Sequence, residues 1–202
     1  AGAVYAWGWN DYGQLGNGRR AEEMQLLPAL VPGLFGFTAV DAGPGRSLAL
    51  RADGTVFGWG LNAAGELGDG TVVKPRPWPQ QIVGYAGALV VAAGVNDSRT
   101  MAVKADGTLW ACGANGYGQL GDGTFEDRSE PVQVRFADGT PFTDVRDIGQ
   151  ATWGAYAVRH DGSVWSWGRS GYQLGDGDAP DRANPAPVRF AKRVQRVLRT
   201  LR

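Results

Sequence analysis

Four stretches of this 202-residue chain combine glycine, aspartate and amide side chains at a spacing that could hold an ion. They are Tyr5–Gly18, Phe57–Thr71, Trp110–Thr124 and Trp165–Gly177. A glycine-rich loop cradles phosphate when a strand precedes it, a helix N-terminus follows it and a Lys completes it. Here a proline-containing linker follows each loop and no Gly-Lys-Ser/Thr occurs, so the loops read as structural. Asp69, Asp122 and Asp176 offer carboxylates, yet calcium takes about six to eight oxygens from close ligands. One Asp per repeat, with the next about 50 residues away, does not gather them. His160 is the sole histidine and precedes the Asp161-Gly162 turn, where other copies carry Ala52 and Ala105. It reads as turn-exposed, because a zinc site or a triad needs partners that do not cluster around it. Cys112 stands alone, in the place of Trp59 and Trp167, and reads as a buried small hydrophobe. No catalytic residue, metal or cofactor is expected.

The elements around these loops repeat. The aligned glycines are Gly8, Gly60, Gly113 and Gly168, at separations of 52, 53 and 55 residues. A period of that size, with short apolar runs between glycines, marks a propeller. Each full unit opens with a short apolar run (Thr38–Ala42, Leu89–Ala93, Asp144–Ile148). A second run follows with alternate residues apolar (Ser47–Arg51, Thr100–Lys104, Ala155–Arg159). Period two implies strands with one face inward. An Asp-Gly pair then makes a tight turn (53–54, 106–107, 161–162), since both residues tolerate positive φ. The third run (Thr55–Trp59, Thr108–Cys112, Ser163–Trp167) leads into the glycine-rich loop, whose leucine (Leu15, Leu67, Leu120, Leu174) tucks under its own turn. A fourth strand is expected after a proline, near Leu30-Val31, Gln81-Ile82, Val132–Val134 and Val188–Phe190.

The predicted fold is therefore an all-β propeller, or propeller arc, of about four four-stranded blades. Copies centre on 4–18, 56–71, 109–124 and 164–177 within residues 1–191, and 192–202 form a basic tail. The first copy enters at its third strand, Val4–Gly8. Four repeats fit an arc of a larger protein, a four-bladed ring or half of a two-chain ring, and an open arc invites self-association through its edges. Thirty-two glycines and eleven prolines, spread evenly between aromatic runs, read as turns and not disorder. Lys and Arg total 20, equal to Asp and Glu, so the whole chain has no strong pull on nucleic acid or anionic membrane. Residues 189–202 nevertheless hold six basic residues and no acid. Phe190, Val194, Val197, Leu198 and Leu201 would share one face of a short helix. A competing reading makes Val194–Leu198 a strand of the blade that Val4–Gly8 begins. Nucleic-acid or membrane contact by the tail is not expected. No apolar run approaches the ~18 residues of a membrane span, and no signal peptide is visible.

The core Trp-Gly-x-Asn-x-x-Gly-Gln-Leu-Gly-Asp-Gly (Gly8–Gly18, Gly60–Gly70, Gly113–Gly123) and the Ala-Asp-Gly-Thr turns at 52–55 and 105–108 resemble the regulator of chromosome condensation repeat family. The resemblance covers roughly residues 3–191. It implies a ring, usually seven-bladed, that acts by binding partners on its faces. Members of the family include a nucleotide-exchange factor for a small nuclear GTPase, a plant ultraviolet-B receptor and a bacterial β-lactamase inhibitor. This chain departs from the pattern in the approach to the second strand, where Gly45-Arg-Ser47, Ser98-Arg-Thr100 and Trp153-Gly-Ala155 lack the family's frequent His. The fourth loop is one residue short at Gly171–Gln173, and Ser170 replaces its Asn.

Function is therefore sought where the copies disagree. Trp7, Trp59, Trp110, Trp165 and Trp167 lie on third strands and are expected mostly in the core. Trp9, Trp78 and Trp153 fall off the repeat and, with Tyr172, are the candidate contacts for a partner. The expected function is protein–protein recognition without catalysis. The alternatives are inhibition of another enzyme or guanine-nucleotide exchange on a small GTPase.

Overall fold

The computed structural model describes residues 2–72, 75–94, 98–171, 174–175 and 180–188, apart from the side chains of 21–23. The tail after Val188 and the candidate Tyr172 lie outside the described residues. Three complete antiparallel sheets follow one another along the chain. The second blade is β3 (Phe37–Gly43), β4 (Arg46–Arg51), β5 (Val56–Gly60) and β6 (Arg76–Gln81), in that spatial order. The third is β7 (Ala88–Ala93), β8 (Arg99–Lys104), β9 (Leu109–Gly113) and β10 (Arg128–Gln133). The fourth is β11 (Val145–Gln150), β12 (Gly154–Arg159), β13 (Val164–Gly168) and β14 (Arg182–Pro187). The first blade is the pair β1 (Ala3–Asn10) and β2 (Ala21–Phe35), equivalent to a third and a fourth strand. No described helix is long and apolar enough to cross a membrane.

Local sequence accounts for the meander. Each Asp-Gly turn closes as expected: Gly54, Gly107 and Gly162 donate their N–H to Arg51, Lys104 and Arg159, with φ near +80°. The Asp carboxylate of each turn accepts the N–H two residues on, as Asp53 does from Thr55 at 2.9 Å.

The fourth strands begin earlier than expected. Their first residues pair with the glycine that ends the third strand, Arg76 with Gly60, Arg128 with Gly113 and Arg182 with Gly168. Proline suggested a boundary, yet Pro77, Pro79, Pro131 and Pro185 lie inside these strands. They are tolerated because the strand is the outer edge of its sheet, where a missing N–H costs no ladder bond.

The hydrophobic core lies between blades. One cluster (Val31, Leu34, Phe37, Ala49, Trp59) joins the first blade to the second. Another (Leu48, Val56, Ile82, Tyr85, Val91, Cys112) joins the second to the third. The largest (Met101, Leu109, Leu120, Val134, Phe142, Ile148, Trp167) joins the third to the fourth. First strands of neighbouring blades pack together, β3 against β7 and β7 against β11. Each buried Leu or Val in such a seam contributes on the order of 1.5–3 kcal/mol.

A polar lock accompanies each seam. The indole N–H of Trp59 donates to the Gln14 carbonyl of the preceding loop at 2.7 Å, and that of Trp167 to Gln119 at 3.0 Å. Cys112, in the same position, lies 3.5 Å from the Glu66 carbonyl. The following loop glycine must be bare: a Cβ on Gly16 would stand 2.8 Å from Trp59 Nε1. Trp7 occupies this position in the first blade but is 60% exposed, against 1% for Trp59 and 0% for Trp167. The expectation that it is core fails, since no loop among the described residues covers it as Gln14 covers Trp59.

Candidate partner-binding face

Antiparallel order sends alternate connections to opposite ends of each blade. The loops after third strands and the connections from first to second strands emerge on one face. The Asp-Gly turns emerge on the other. The first three glycine-rich loops are fixed by the Asn two residues after the aligned glycine. Asn10, Asn62 and Asn115 accept the N–H of Leu15, Leu67 and Leu120 at 3.1, 2.9 and 2.8 Å. The leucine is driven inward, as expected, with Leu15, Leu67, Leu120 and Leu174 all buried. Asn62 Nδ2 turns back to Asp69 and Thr71, and Asn115 Nδ2 to Asp122 and Thr124.

Asp69 and Asp122 are thereby occupied. Asp69 accepts the hydroxyl of Thr71 at 2.6 Å and pairs with Arg76 at 3.1 Å. Burial pushes its carboxyl up, but the Thr71 bonds and the Arg76 charge outweigh this and hold it below the ordinary 3.8. Asp122 pairs with Arg128 at 2.9 Å. No group of three His, Cys, Asp or Glu that could hold a metal occurs among the described residues. His160 is exposed at its turn. Cys112 is fully buried, and burial pushes its thiol up to about 12, which removes nucleophilic character at neutral pH. Tyr85, its neighbour at 3.2 Å, is also raised by burial.

Two buried arginines, to which sequence reasoning gave no role, stiffen the face. Arg46 Nη2 donates across the seam to the Arg99 carbonyl at 2.6 Å and to Gly94 at 3.3 Å. Arg99 repeats this one blade later, reaching Gly154 at 2.6 Å, Ala151 at 2.8 Å and the Gln150 side chain at 2.8 Å. Both stand in the approach to the second strand, in Gly45-Arg-Ser47 and Ser98-Arg-Thr100. Their regular spacing was the available signal, but the carbonyls they seek belong to another blade.

The sequence-selected aromatics do not form one cluster. Trp153 lies on the connection from β11 to β12 and is 39% exposed. Arg169, just after β13, sits 4.4 Å from the Trp153 ring and 4.9 Å from the Tyr117 ring of the preceding loop. The two rings are 6.1 Å apart. The result is a guanidinium held against two half-exposed aromatic rings at the seam of the third and fourth blades. Arg169 was visible as the counterpart of Trp9. Tyr117 was hidden because Tyr12 repeats it. Trp9 is 58% exposed at the end of β1, beside Trp7 and away from this stack. Trp78 lies on the outer strand β6, packed against Gly18, where a Cβ would collide with its ring. The copies place Glu130 and Asn184 against Gly70 and Gly123 in the same way. Trp78 is thus a rim contact between blades, with 51% of its surface open.

With this geometry in place, comparison with known proteins is decisive on kinship. The regulator of chromosome condensation (RCC1) repeat matches at residues 1–50, 53–103 and 106–146. The chain belongs to this family. Ultraviolet-B receptor UVR8 of Arabidopsis thaliana is 32% identical to this RCC1-type chain over 183 residues, 90% of the chain and 41% of the receptor. Probable E3 ubiquitin-protein ligase HERC4 of Homo sapiens is 33% identical over 192 residues, 94% of the chain and 18% of the ligase. The chain therefore spans less than half the length of either relative. Among solved structures, yeast RCC1 (Prp20) bound to Kap60 superposes with a TM-score of 0.76 at 19% identity, over 94% of this chain and 45% of that one. Prp20p from Saccharomyces cerevisiae, in a structure described with its binding properties to Gsp1p and histones, gives 0.75 at 22% identity, over 94% and 47%. These likenesses establish the propeller fold.

Proposed function

We propose that this RCC1-type arc is a non-enzymatic platform for protein recognition, and that the loop face at the seam of the third and fourth blades makes the contact. The observation that carries this is the Tyr117–Arg169–Trp153 stack. A scaffold needs only the repeated residues, and Trp153 and Arg169 are not repeated. The rings supply rigid apolar area and the guanidinium supplies directed donors, the combination that dominates protein interfaces. Stapled loops and buried Arg clamps fix the stack in advance, so little ordering entropy opposes binding. The yeast relatives' named partners, Kap60, Gsp1p and histones, supply the classes to test first.

A second reading is guanine-nucleotide exchange, favoured by the match of almost the whole chain to the protein described with Gsp1p. Both readings meet one experiment. The chain is immobilised and offered Gsp1p, Kap60 and core histones, and nucleotide release from Gsp1p is followed in parallel. The platform reading expects a bound partner whose affinity falls at least about tenfold, or 1.4 kcal/mol, on Arg169→Ala or Trp153→Ala. Binding indifferent to both substitutions refutes the assigned face. Accelerated nucleotide release replaces the passive platform with an exchange factor.

A further inference from the structure

Each of the three seams is pinned at its rim by the same backbone bond. A loop glycine donates its N–H to the outer strand of the next blade: Gly18 to Pro77 at 3.0 Å, Gly70 to Ser129 at 2.9 Å and Gly123 to Ala183 at 2.8 Å. The residue after each acceptor lies over that glycine, and here the copies disagree. Trp78 covers Gly18 with its ring. Asn184 lies over Gly123, and its amide donates onward to the Arg135 carbonyl at 2.9 Å and to that of Phe136 at 3.4 Å. A bulky ring thus covers the first rim, and a hydrogen-bonded amide bridges the third. Glu130 holds this place at the second seam, with its Oε1 over Gly70. A carboxylate has no N–H to give, so it cannot make the bond that Asn184 makes. Glu130 is exposed and has no hydrogen bond or ion pair among the described residues. Beside it opens a cavity of about 310 Å³, lined in part by Asp69, Gly70, Gln81, Val83 and Pro131.

We propose that this rim cavity takes an arginine side chain from a basic segment of a partner protein. Its volume stands at the lower end of the roughly 300–1,000 Å³ of small-ligand sites, which suits one long side chain better than a cofactor. Val83 and Pro131 offer apolar walls to the aliphatic stem of such a side chain. Asp69 is already paired with Arg76, so Glu130 carries the uncompensated charge of the site. An anionic ligand would be repelled by that charge. A guanidinium presents a planar fork of donors that fits a carboxylate with two parallel bonds. The cavity is formed in advance. Gly70 is held by Ser129, and the Pro131 ring packs so close on Gly84 that a Cβ there would stand 2.7 Å from it. The site shares no residue with the Tyr117–Arg169–Trp153 stack and does not rest on the loop-face reading.

The test is a titration of the full chain, labelled with nitrogen-15, by a capped Gly-Arg-Gly peptide at physiological ionic strength. Amide shifts in the nuclear magnetic resonance spectrum report the site. The expected result is saturable shifts at Gly70, Gln81 and Gly84. The same peptide with citrulline, which keeps the shape of arginine and lacks its charge, should give none that saturate. Glu130→Gln should weaken arginine binding about fivefold, as loss of a partly screened ion pair does. Glu130→Trp copies the first rim and should fill the cavity, which abolishes the shifts. Glu130 is exposed, so both variants should keep the fold, and the rest of the spectrum shows whether they do. No saturable shift at these residues, equal binding of the citrulline peptide, or arginine binding indifferent to both substitutions overturns the proposal.

Discussion

Trp167 and Trp7 occupy the same repeat position, so truncating each isolates what the neighbouring blade contributes. Trp167 is fully buried, lies edge-on to Phe142 at 5.8 Å, and donates to the Gln119 carbonyl at 3.0 Å. It also fills the space over Gly121, where a Cβ would stand 2.7 Å from its Nε1. Trp167→Ala removes this side chain from a seam that cannot collapse onto the gap, because the loop backbone is held by Asn115. The expected cost is about 3–5 kcal/mol, the range for large aromatic truncations in cores. Domains of ordinary stability hold about 5–15 kcal/mol in all, so the variant should be near the limit of folding. Trp7→Ala, at 60% exposure, should change stability by no more than about 0.5 kcal/mol. Urea unfolding followed by far-ultraviolet circular dichroism measures both. Equal losses from the two substitutions would refute the reasoning, since they would mean that Trp7 is packed within its own chain.

Two further outcomes follow from buried groups. Glu66 is fully buried; its Oε2 accepts the N–H of Ala64 at 2.7 Å, while Oε1 has no hydrogen-bond donor. Gln119 and Gln14 make the same backbone bond in their loops, so Glu66→Gln should preserve the turn and raise the unfolding free energy by about 1 kcal/mol, measured by the same urea titration. Cys112, raised by burial from 9.0 to about 12, should not react with a thiol reagent at pH 8 until the chain unfolds. Because its folded value is raised, the native state holds the proton more tightly. That contribution to stability is fully present below pH 9.0 and is lost as pH climbs from 9.0 towards about 12. Cys112→Ala should remove this part of the alkaline slope, and an unchanged slope would reject the assignment.

Much of the fold was legible along the chain because its determinants are local. The two-residue alternation of Ser47–Arg51 and its copies, the Asp-Gly turns and the recurring Gln-Leu-Gly each specify backbone within a few residues. The fourth strands start earlier than expected because Pro77 and Pro131 look like terminators until the strand is known to be an outer edge. The candidate site was legible only in part. Trp153 was singled out by its absence from the other copies, yet its partners Tyr117 and Arg169 come from a loop and a strand end of different blades. Arg46 and Arg99 have no signature of their function, since the carbonyls they bind lie 48 to 55 residues away.

The sequence by itself determined the repeat, the strands that compose it and the structural character of its glycine-rich loops. Only tertiary structure decided which copies of a repeated residue are buried. Trp59, Trp167 and Trp7 have the same local surroundings, but the first two meet a preceding loop carbonyl and the third meets solvent. The physical reason is that the core of this fold lies between blades, so each residue's environment is set by the neighbouring unit as much as by its own.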